Sequence, residues 1–342
     1  MDRKCGKFEK GKITVRGMSL QYYCLLSEAV QSMLCCPTCK AKLGKQDGYL
    51  QCTNTECNSL FPIVQGIPIL IDDESSAFSI SDFVGYHDTT FYLHKSKFER
   101  TLLKFLPRIS RNIKGRENYN KLAKLLLERL NTARILVIGG SILGEGMEAL
   151  LAYPNIELVD SDVTFGPRTK LICDSHSIPF NDNSFDCVIV QAVLEHVADP
   201  WRCVEEIHRV LKEDGLIYAE TPFIQQVHGG RYDFTRFTHL GHRRLFRKFE
   251  EIDSGAMCGP AMALAWSYTY FLLSFSTSGL VRRFIKVFTK LTSFFLVYFD
   301  YLLIDKPGTL DAASGYYFMG KKSDRILSDK DLVKLYKGLD HT

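Results

Sequence analysis

Four cysteines stand close together near the start of the chain: Cys36 and Cys39 with two residues between them, then Cys52 and Cys57 with four. A tight turn carrying two thiolates supplies half of a tetrahedral Zn2+ shell, and a second such turn completes it. Paired spacing of this kind favours a metal site over four free thiols, although Cys35 lies beside the set and could stand in for Cys36. A site closed by four sulfurs leaves no position for a substrate, so its role is structural. Binding the ion would then be most of what folds so short a segment.

Two further groups of residues have the types needed for chemistry. The stretch from Thr221 to Thr238 gathers His228, Arg231, Asp233 and Arg236 among aromatic side chains, with Gly229-Gly230 as a hinge. Imidazole titrates near neutrality and takes up protons readily, which makes His228 the candidate catalytic base. Asp233 and Arg236 are candidate substrate-binding or orienting groups, or alternatively pair with each other to brace the loop. The other group suits a nucleotide-like cofactor, which needs a tight glycine turn, a carboxylate for its ribose and polar contacts to its base, all at the carboxyl edge of a parallel sheet. Gly139-Gly140-Ser141 followed by Gly144 supplies the turn, Asp162 the ribose carboxylate with Asp160 as its competitor, and Asp174 an acceptor for an exocyclic amine.

These residues need elements to hold them. From Arg134 onward short apolar strands alternate with helices: strands at Ile135–Ile138, Ile156–Val159, Leu171–Cys173, Asp186–Gln191, Leu216–Glu220 and Glu250–Ser254, and a last strand-like run at Gly315–Gly320. Helices are expected at Gly144–Ala152, Pro200–Leu211 and Leu240–Phe249, and two more, at Phe91–Leu106 and Tyr119–Leu130, before the main domain. Such alternation argues for an α/β fold, with a parallel sheet covered on both faces. Asp162 and Asp174 fall just after strands two and three, and the His228 loop after strand five.

The run Ile178-Pro-Phe-Asn-Asp-Asn-Ser-Phe-Asp-Cys-Val-Ile-Val190, then Leu194-Glu-His196, then Arg209-Val-Leu-Lys212 before Gly215, resembles the class I S-adenosylmethionine (SAM) methyltransferases, especially the subgroup typified by ubiquinone and menaquinone biosynthesis. The resemblance covers about Arg134 to Gly255. It implies a Rossmann-like, seven-stranded mixed sheet and SAM as cofactor, with Gly139 at its methionine end, Asp162 at the ribose, Asp174 and Ser175 at the adenine, and Gln191 beside the sulfonium. His196 occupies a helix-start position in that pattern and is read as structural. The chain departs from the family at the glycine turn: Val137 replaces the usual acid, and Ser141 and Leu143 stand where the second and third glycines fall. Separately, Cys36 to Ile71 resembles the small zinc-ribbon proteins that partner tRNA methyltransferases.

The resulting organisation is a leader (1–30), a zinc ribbon (31–72), a linker with helices (73–130), a methyltransferase domain (131–322) and a polar tail (323–342). Residues 255–313 form an apolar helical insertion before the last strand. Ser254 to Val281 has no charged residue, but if strands six and seven share one sheet a membrane-crossing chain must return. The second candidate, Leu291–Ile304, is broken by Asp300 and is short of the roughly 20 apolar residues a span requires. Arg282, Lys286 and Lys290 instead mark a basic amphipathic helix, suited either to capping the acceptor pocket or to touching an anionic membrane surface.

Composition narrows the function. At 46% hydrophobic and 24% charged the 342-residue chain is not disordered, and a net charge of +4 is too small to argue for nucleic acid. Met1–Lys12 has no apolar core and is no secretory signal, so the cysteines are expected reduced and the location cytoplasmic, with peripheral membrane contact through 255–304 left open. The expected activity is methyl transfer from SAM to an oxygen or nitrogen of a small-molecule, glycan or lipid-linked acceptor. The alternatives are an RNA base methyltransferase that grips RNA through its ribbon, and a non-catalytic SAM-fold binding protein.

Overall fold

A computed structural model describes residues 24–84 and 106–339. The expected helix at Phe91–Leu106 and most of the leader lie outside the described residues. Among the described residues eleven strands form one sheet: β1 (Leu43–Gln46), β2 (Tyr49–Cys52), β3 (Leu60–Val64), β4 (Ile67–Leu70), β5 (Ala133–Ile138), β6 (Ile156–Asp162), β7 (Leu171–Cys173), β8 (Phe185–Gln191), β9 (Leu211–Pro222), β10 (Phe249–Cys258) and β11 (Gly315–Lys322). Their spatial order is β1-β2-β3-β4-β7-β6-β5-β8-β9-β11-β10. Neighbours from β4 through β9 across β7, β6, β5 and β8 are parallel, and β11 runs antiparallel to both β9 and β10.

The seven strands expected from the sequence are β5 to β11, but they are not a closed set, which corrects the seven-stranded expectation. The ribbon strand β4 pairs with β7, setting Ile69 opposite Ile172 and Leu70 opposite Cys173. The reason is physical: β7 has only three residues and would be an open edge, while Ile67–Leu70 is apolar on both sides and buried throughout. Ribbon residues Leu34, Cys36, Leu50 and Phe61 pack in the same core as Leu136, Phe180 and Val188. The ribbon is therefore held by the main core as well as by any metal.

The central strands carry continuous apolar runs (Ile135–Ile138, Cys187–Val190 and Ile217–Ala219), as strands buried on both faces must. Helix α1 (Gly115–Leu127) lays Tyr119, Leu122, Ala123 and Leu126 against Ala133, Ile135 and Val137. Helix α2 (Pro200–Val210) starts on an Asp199 cap that accepts from the Arg202 amide, with proline in its first turn. The expected helix at Gly144–Ala152 is only a 3-10 turn, Met147–Ala152. Gly146 at φ +91° interrupts it, and a side chain there would strike the Gly115 backbone. Helix α3 (His239–Leu245) ends earlier than expected, because the chain already enters β10 at Phe249.

Among the described residues no helix is long and apolar enough to cross a membrane. The insertion folds as α4 (Pro260–Leu273), α5 (Gly279–Ser293) and short turns after it. Asp300, the residue that interrupts the second apolar stretch, accepts from the Ala261 and Met262 amides at 2.9 Å each and so caps α4 from a distance. Helix α4 buries Ala261, Met262, Ala263, Ala265 and Leu273. Helix α5 is arranged the other way. It buries Thr289 and Ser293 and leaves Leu280, Phe284, Phe288 and Leu291 exposed. A cap that hides its apolar side on the protein is thus realised by α4 and not by α5.

Strand order reverses between β6 and β8 on either side of β5, and this switch point opens the crevice at which α/β sheets bind ligands.

Candidate functional site

The four ribbon cysteines converge. Cys36 Sγ lies 3.7 Å from Cys57 Sγ, and Cys39 Sγ lies 3.4 Å from Cys52 Sγ; all four sulfurs fall within 4.8 Å of one another. Zinc–sulfur bonds of 2.3 Å at tetrahedral angles place sulfurs about 3.8 Å apart, so the set fits one ion. Cys35, the possible substitute, is buried elsewhere and bonds through its backbone to Pro179. The Ser59 hydroxyl beside Cys57 lowers that thiol, while burial raises Cys36 and Cys52.

At the switch point the glycine turn is built as the sequence suggests. Gly139 has φ +75°, and Gly140 approaches Asp160 so closely that a side chain would crowd it. The two competing acids are separated by their partners. Asp160 is buried and paired with Arg168 at 3.0 Å. Asp162 is half-buried at the tip of β6, where it accepts from the Ser141 amide at 3.0 Å and the Thr164 hydroxyl at 2.9 Å. A carboxylate accepts at about four sites, so Asp162 retains capacity for ribose hydroxyls.

The other residues singled out for the cofactor, Asp174, Ser175 and Gln191, are already engaged. Asp174 is buried, with one oxygen accepting from the Ser76 hydroxyl at 2.5 Å and the other from His176 Nδ1 at 2.6 Å. Burial pushes its pKa up, but these hydrogen bonds together leave the carboxyl below its ordinary value. Ser175 turns its hydroxyl inward to Cys203 Sγ. Gln191 lies so close to Gly144 that a Cβ there would overlap it, and Val193 covers Gly139 in the same way. Gln191 donates to Glu220 at 2.7 Å and accepts from the Tyr119 hydroxyl at 3.0 Å. A carboxylate with free acceptor sites at the tip of β6 fits a ribose, while Ser76 holds Asp174 and Gln191 is engaged with Glu220 and Tyr119.

Glu220 was not singled out by the sequence. It is buried at the end of β9 and accepts from Asn112, Gln191 and the Tyr218 hydroxyl. Burial raises its pKa. Its only sequence signal is an acid closing an apolar strand.

On the acceptor side, after β8 and β9, the loop is braced as one of the two sequence readings has it. Arg236 grips both oxygens of Asp233 and also donates to the Gln225 and Gln226 carbonyls. Asp233 in turn accepts from the His228 and Gly229 amides, and Arg236 with these amides outweighs burial to hold its carboxyl far below the ordinary range. His228 faces His196, with ring centroids 4.9 Å apart and nearly perpendicular, and lies against Trp266 of α4. Beneath them is Glu195, fully buried, with neither carboxylate oxygen hydrogen-bonded among the described residues. Burial pushes this carboxyl up to about 8. The sequence placed Glu195 and His196 beside each other but gave no sign that His228 joins them.

Comparison with known proteins matches residues 151–219 to a family described as a methyltransferase domain. The matched segment runs from just before β6 into β9 and includes Asp162, Asp174 and Gln191. The chain is 36% identical over 73 residues to the human mitochondrial arginine-hydroxylase NDUFAF5, covering 21% of this chain and 19% of that protein. It is 41% identical over 49 residues to an uncharacterized 37.1 kDa protein in a Streptomyces fradiae transposon, 14% of each. The matches therefore span less than a fifth of the length of these curated relatives. A solved structure of Burkholderia thailandensis 1,6-didemethyltoxoflavin-N1-methyltransferase aligns with 78% of this chain and 96% of its own, at 13% identity and a TM-score of 0.39.

Proposed function

We propose that this chain transfers a methyl group from SAM to an oxygen or nitrogen of a small-molecule, glycan or lipid-linked acceptor. The observation that carries the reading is Asp162, a half-buried carboxylate with spare lone pairs at the tip of β6, beside the positive-φ Gly139 turn and inside the segment matched to a methyltransferase domain. When bound, SAM supplies an electrophilic methyl on a sulfonium, and in-line displacement then needs mainly alignment and exclusion of water. Asp162 holds the ribose. Asp174 accepts from the purine once the Ser76 hydroxyl leaves it. Gln191 and Glu220 shape the end nearest β8 and β9. On the acceptor side Asp233 and Arg236 fix the loop, and His228, its Nδ1 held 3.2 Å from the Gln226 carbonyl, is the proton acceptor of this reading.

The exposed face of α5 supports a lipid-linked acceptor. Leu280, Phe284, Phe288 and Leu291 recur at helical spacing and face out, flanked by exposed Arg283 and Lys286. Apolar side chains bordered by cations suit an anionic lipid surface. Vesicles containing phosphatidylserine should retain the protein at low salt, and Phe284→Asp should reduce retention about tenfold or more. Equal retention by neutral and anionic vesicles would remove the electrostatic part of this reading.

The existing engagement of Asp174 and Gln191 favours one second reading, a methyltransferase fold that binds but does not transfer. A tritium-methyl assay on cell extract fractionated into RNA, lipid and small-molecule pools separates the two. Label in the lipid or small-molecule pool supports the enzyme, label in RNA alone moves the acceptor to nucleic acid, and no label in any pool favours the binding protein.

A further inference from the structure

Glu195, His196 and His228 form a cluster that the methyl-transfer reading does not explain. One ligand atom from each lies within 4.8 Å of the others. His196 Nδ1 is 2.8 Å from the Tyr232 carbonyl, and His228 Nδ1 is 3.2 Å from the Gln226 carbonyl. A carbonyl only accepts, so both rings carry their hydrogen on Nδ1, and both Nε2 atoms are left with bare lone pairs. Those Nε2 atoms sit 3.7 Å and 3.8 Å from the same oxygen, Glu195 Oε1. That is too long for a hydrogen bond, so even a protonated carboxyl would satisfy neither ring from there. Two bare imidazole lone pairs and a fully buried carboxyl thus converge on one point without bonding to one another, and the carboxyl has no hydrogen-bond partner among the described residues. Burying such a group without a partner normally costs stability.

From this geometry we infer that Glu195, His196 and His228 bind a first-row divalent transition-metal ion, through one carboxylate oxygen and the two Nε2 atoms. Bonds of about 2.1 Å set neighbouring ligands roughly 3.0–3.4 Å apart, so each imidazole has to move only a few tenths of an ångström nearer the Glu195 oxygen. Two imidazoles and one carboxylate select zinc or iron over magnesium or calcium. The supporting contacts also have the form of a metal site: ligating histidines usually pass their other ring N–H to a carbonyl or carboxylate. His196 uses Tyr232 in this way, and His228 uses Gln226 with Asp233 3.6 Å beyond. Three protein ligands leave a coordination position open, unlike the closed four-sulfur set. The Trp266 ring of α4 lies against His228. The inference stands without the methyl-transfer reading, and it replaces the base role of His228, since one lone pair cannot both ligate and accept a proton.

The test keeps the ribbon zinc in place and counts metal in the full chain. Wild-type protein given excess zinc and then desalted should hold two ions per chain by plasma emission. Glu195→Gln and His228→Ala should each hold one. If a single zinc is present at the start, Co2+ titrated in should bind one further equivalent with weak visible bands and no sulfur-to-cobalt charge transfer, and at least tenfold more weakly in either variant. A wild-type chain that takes up only the ribbon ion under both conditions overturns the proposal, as does Glu195→Gln binding cobalt as tightly as wild type. Should Glu195→Gln fail to fold by circular dichroism, the more exposed His228→Ala decides alone: loss of the second ion supports the site and retention removes it.

Discussion

The two sides of the crevice differ in one buried acid. On the cofactor side every buried carboxylate is satisfied by its own chain: Asp160 by Arg168, Asp174 by Ser76 and His176, Glu220 by Asn112, Gln191 and Tyr218. On the acceptor side Asp233 is likewise held by Arg236 and two amides, but neither oxygen of the fully buried Glu195 is hydrogen-bonded among the described residues. A satisfied acid makes its site stable and closed, so a ligand has to displace something to enter. An unsatisfied one leaves its site costly and in need of a partner. The cofactor side therefore gains stability from being shut, and the acceptor side gains it from being filled.

The largest effect that could break this contrast is in the pH dependence of folding. With only the ribbon ion bound, Glu195 is held up to about 8 by burial, against 4.5 in the unfolded chain. The unfolded state then loses its proton first. Stability from this group is complete below about pH 4.5 and falls by roughly 1.4 kcal/mol per unit as pH rises toward about 8. Urea unfolding across that range should show the slope, Glu195→Gln should flatten it, and so should saturating zinc. A flat profile in wild type would mean that Glu195 is satisfied after all.

Next in size is a pair of substitutions with opposite signs. Glu195→Met should stabilise the protein lacking the second ion by about 1–3 kcal/mol, because an apolar side chain removes an orphaned group. Asp174→Ala should destabilise it by a similar amount, since His176 and Ser76 lose their acceptor. Denaturation midpoints at unchanged slope measure both, and a loss of stability in both variants would erase the distinction.

Smaller effects concern ligand affinity. Asp162→Ala should weaken S-adenosylhomocysteine binding roughly 10- to 100-fold, the worth of hydrogen bonds to a charged group, without moving the melting temperature by more than a few degrees. Ser76→Ala should act the other way. Freeing one Asp174 oxygen should tighten binding a few-fold, on the order of 0.5–1 kcal/mol. Calorimetry reads both, and equal affinities in wild type and Ser76→Ala would show that the serine closes nothing.

Much of the frame was legible in the sequence, for reasons that also explain what was not. Strands β5 to β9 announce themselves as short runs buried on both faces, and the four ribbon cysteines by spacing alone. The strand-tip position of Asp162 was legible, whereas the Arg168 partner that separates Asp160 from it was not. The pairing of β4 with β7 could not be read, since an apolar run such as Ile67–Leu70 does not name its neighbour. The grip of Ser76 on Asp174 spans 98 residues, and the reach of Asn112 to Glu220 spans 108. Neither leaves a local signal. The Glu195–His196–His228 cluster falls between these cases: two members are adjacent in sequence, and the third arrives only because Asp233 and Arg236 fold the loop back. The outward face of α5 was legible as an amphipathic pattern, while its direction depended on packing that buries Thr289 and Ser293 instead.

The most direct test of methyl-donor binding is a crystal structure of the chain with S-adenosylhomocysteine. The account expects both ribose hydroxyls on Asp162, the purine amine on Asp174, and the Ser76 hydroxyl moved off that carboxylate. Crystals grown at saturating ligand that show the Ser76–Asp174 bond intact and no nucleoside at the tips of β6 and β7 would contradict it.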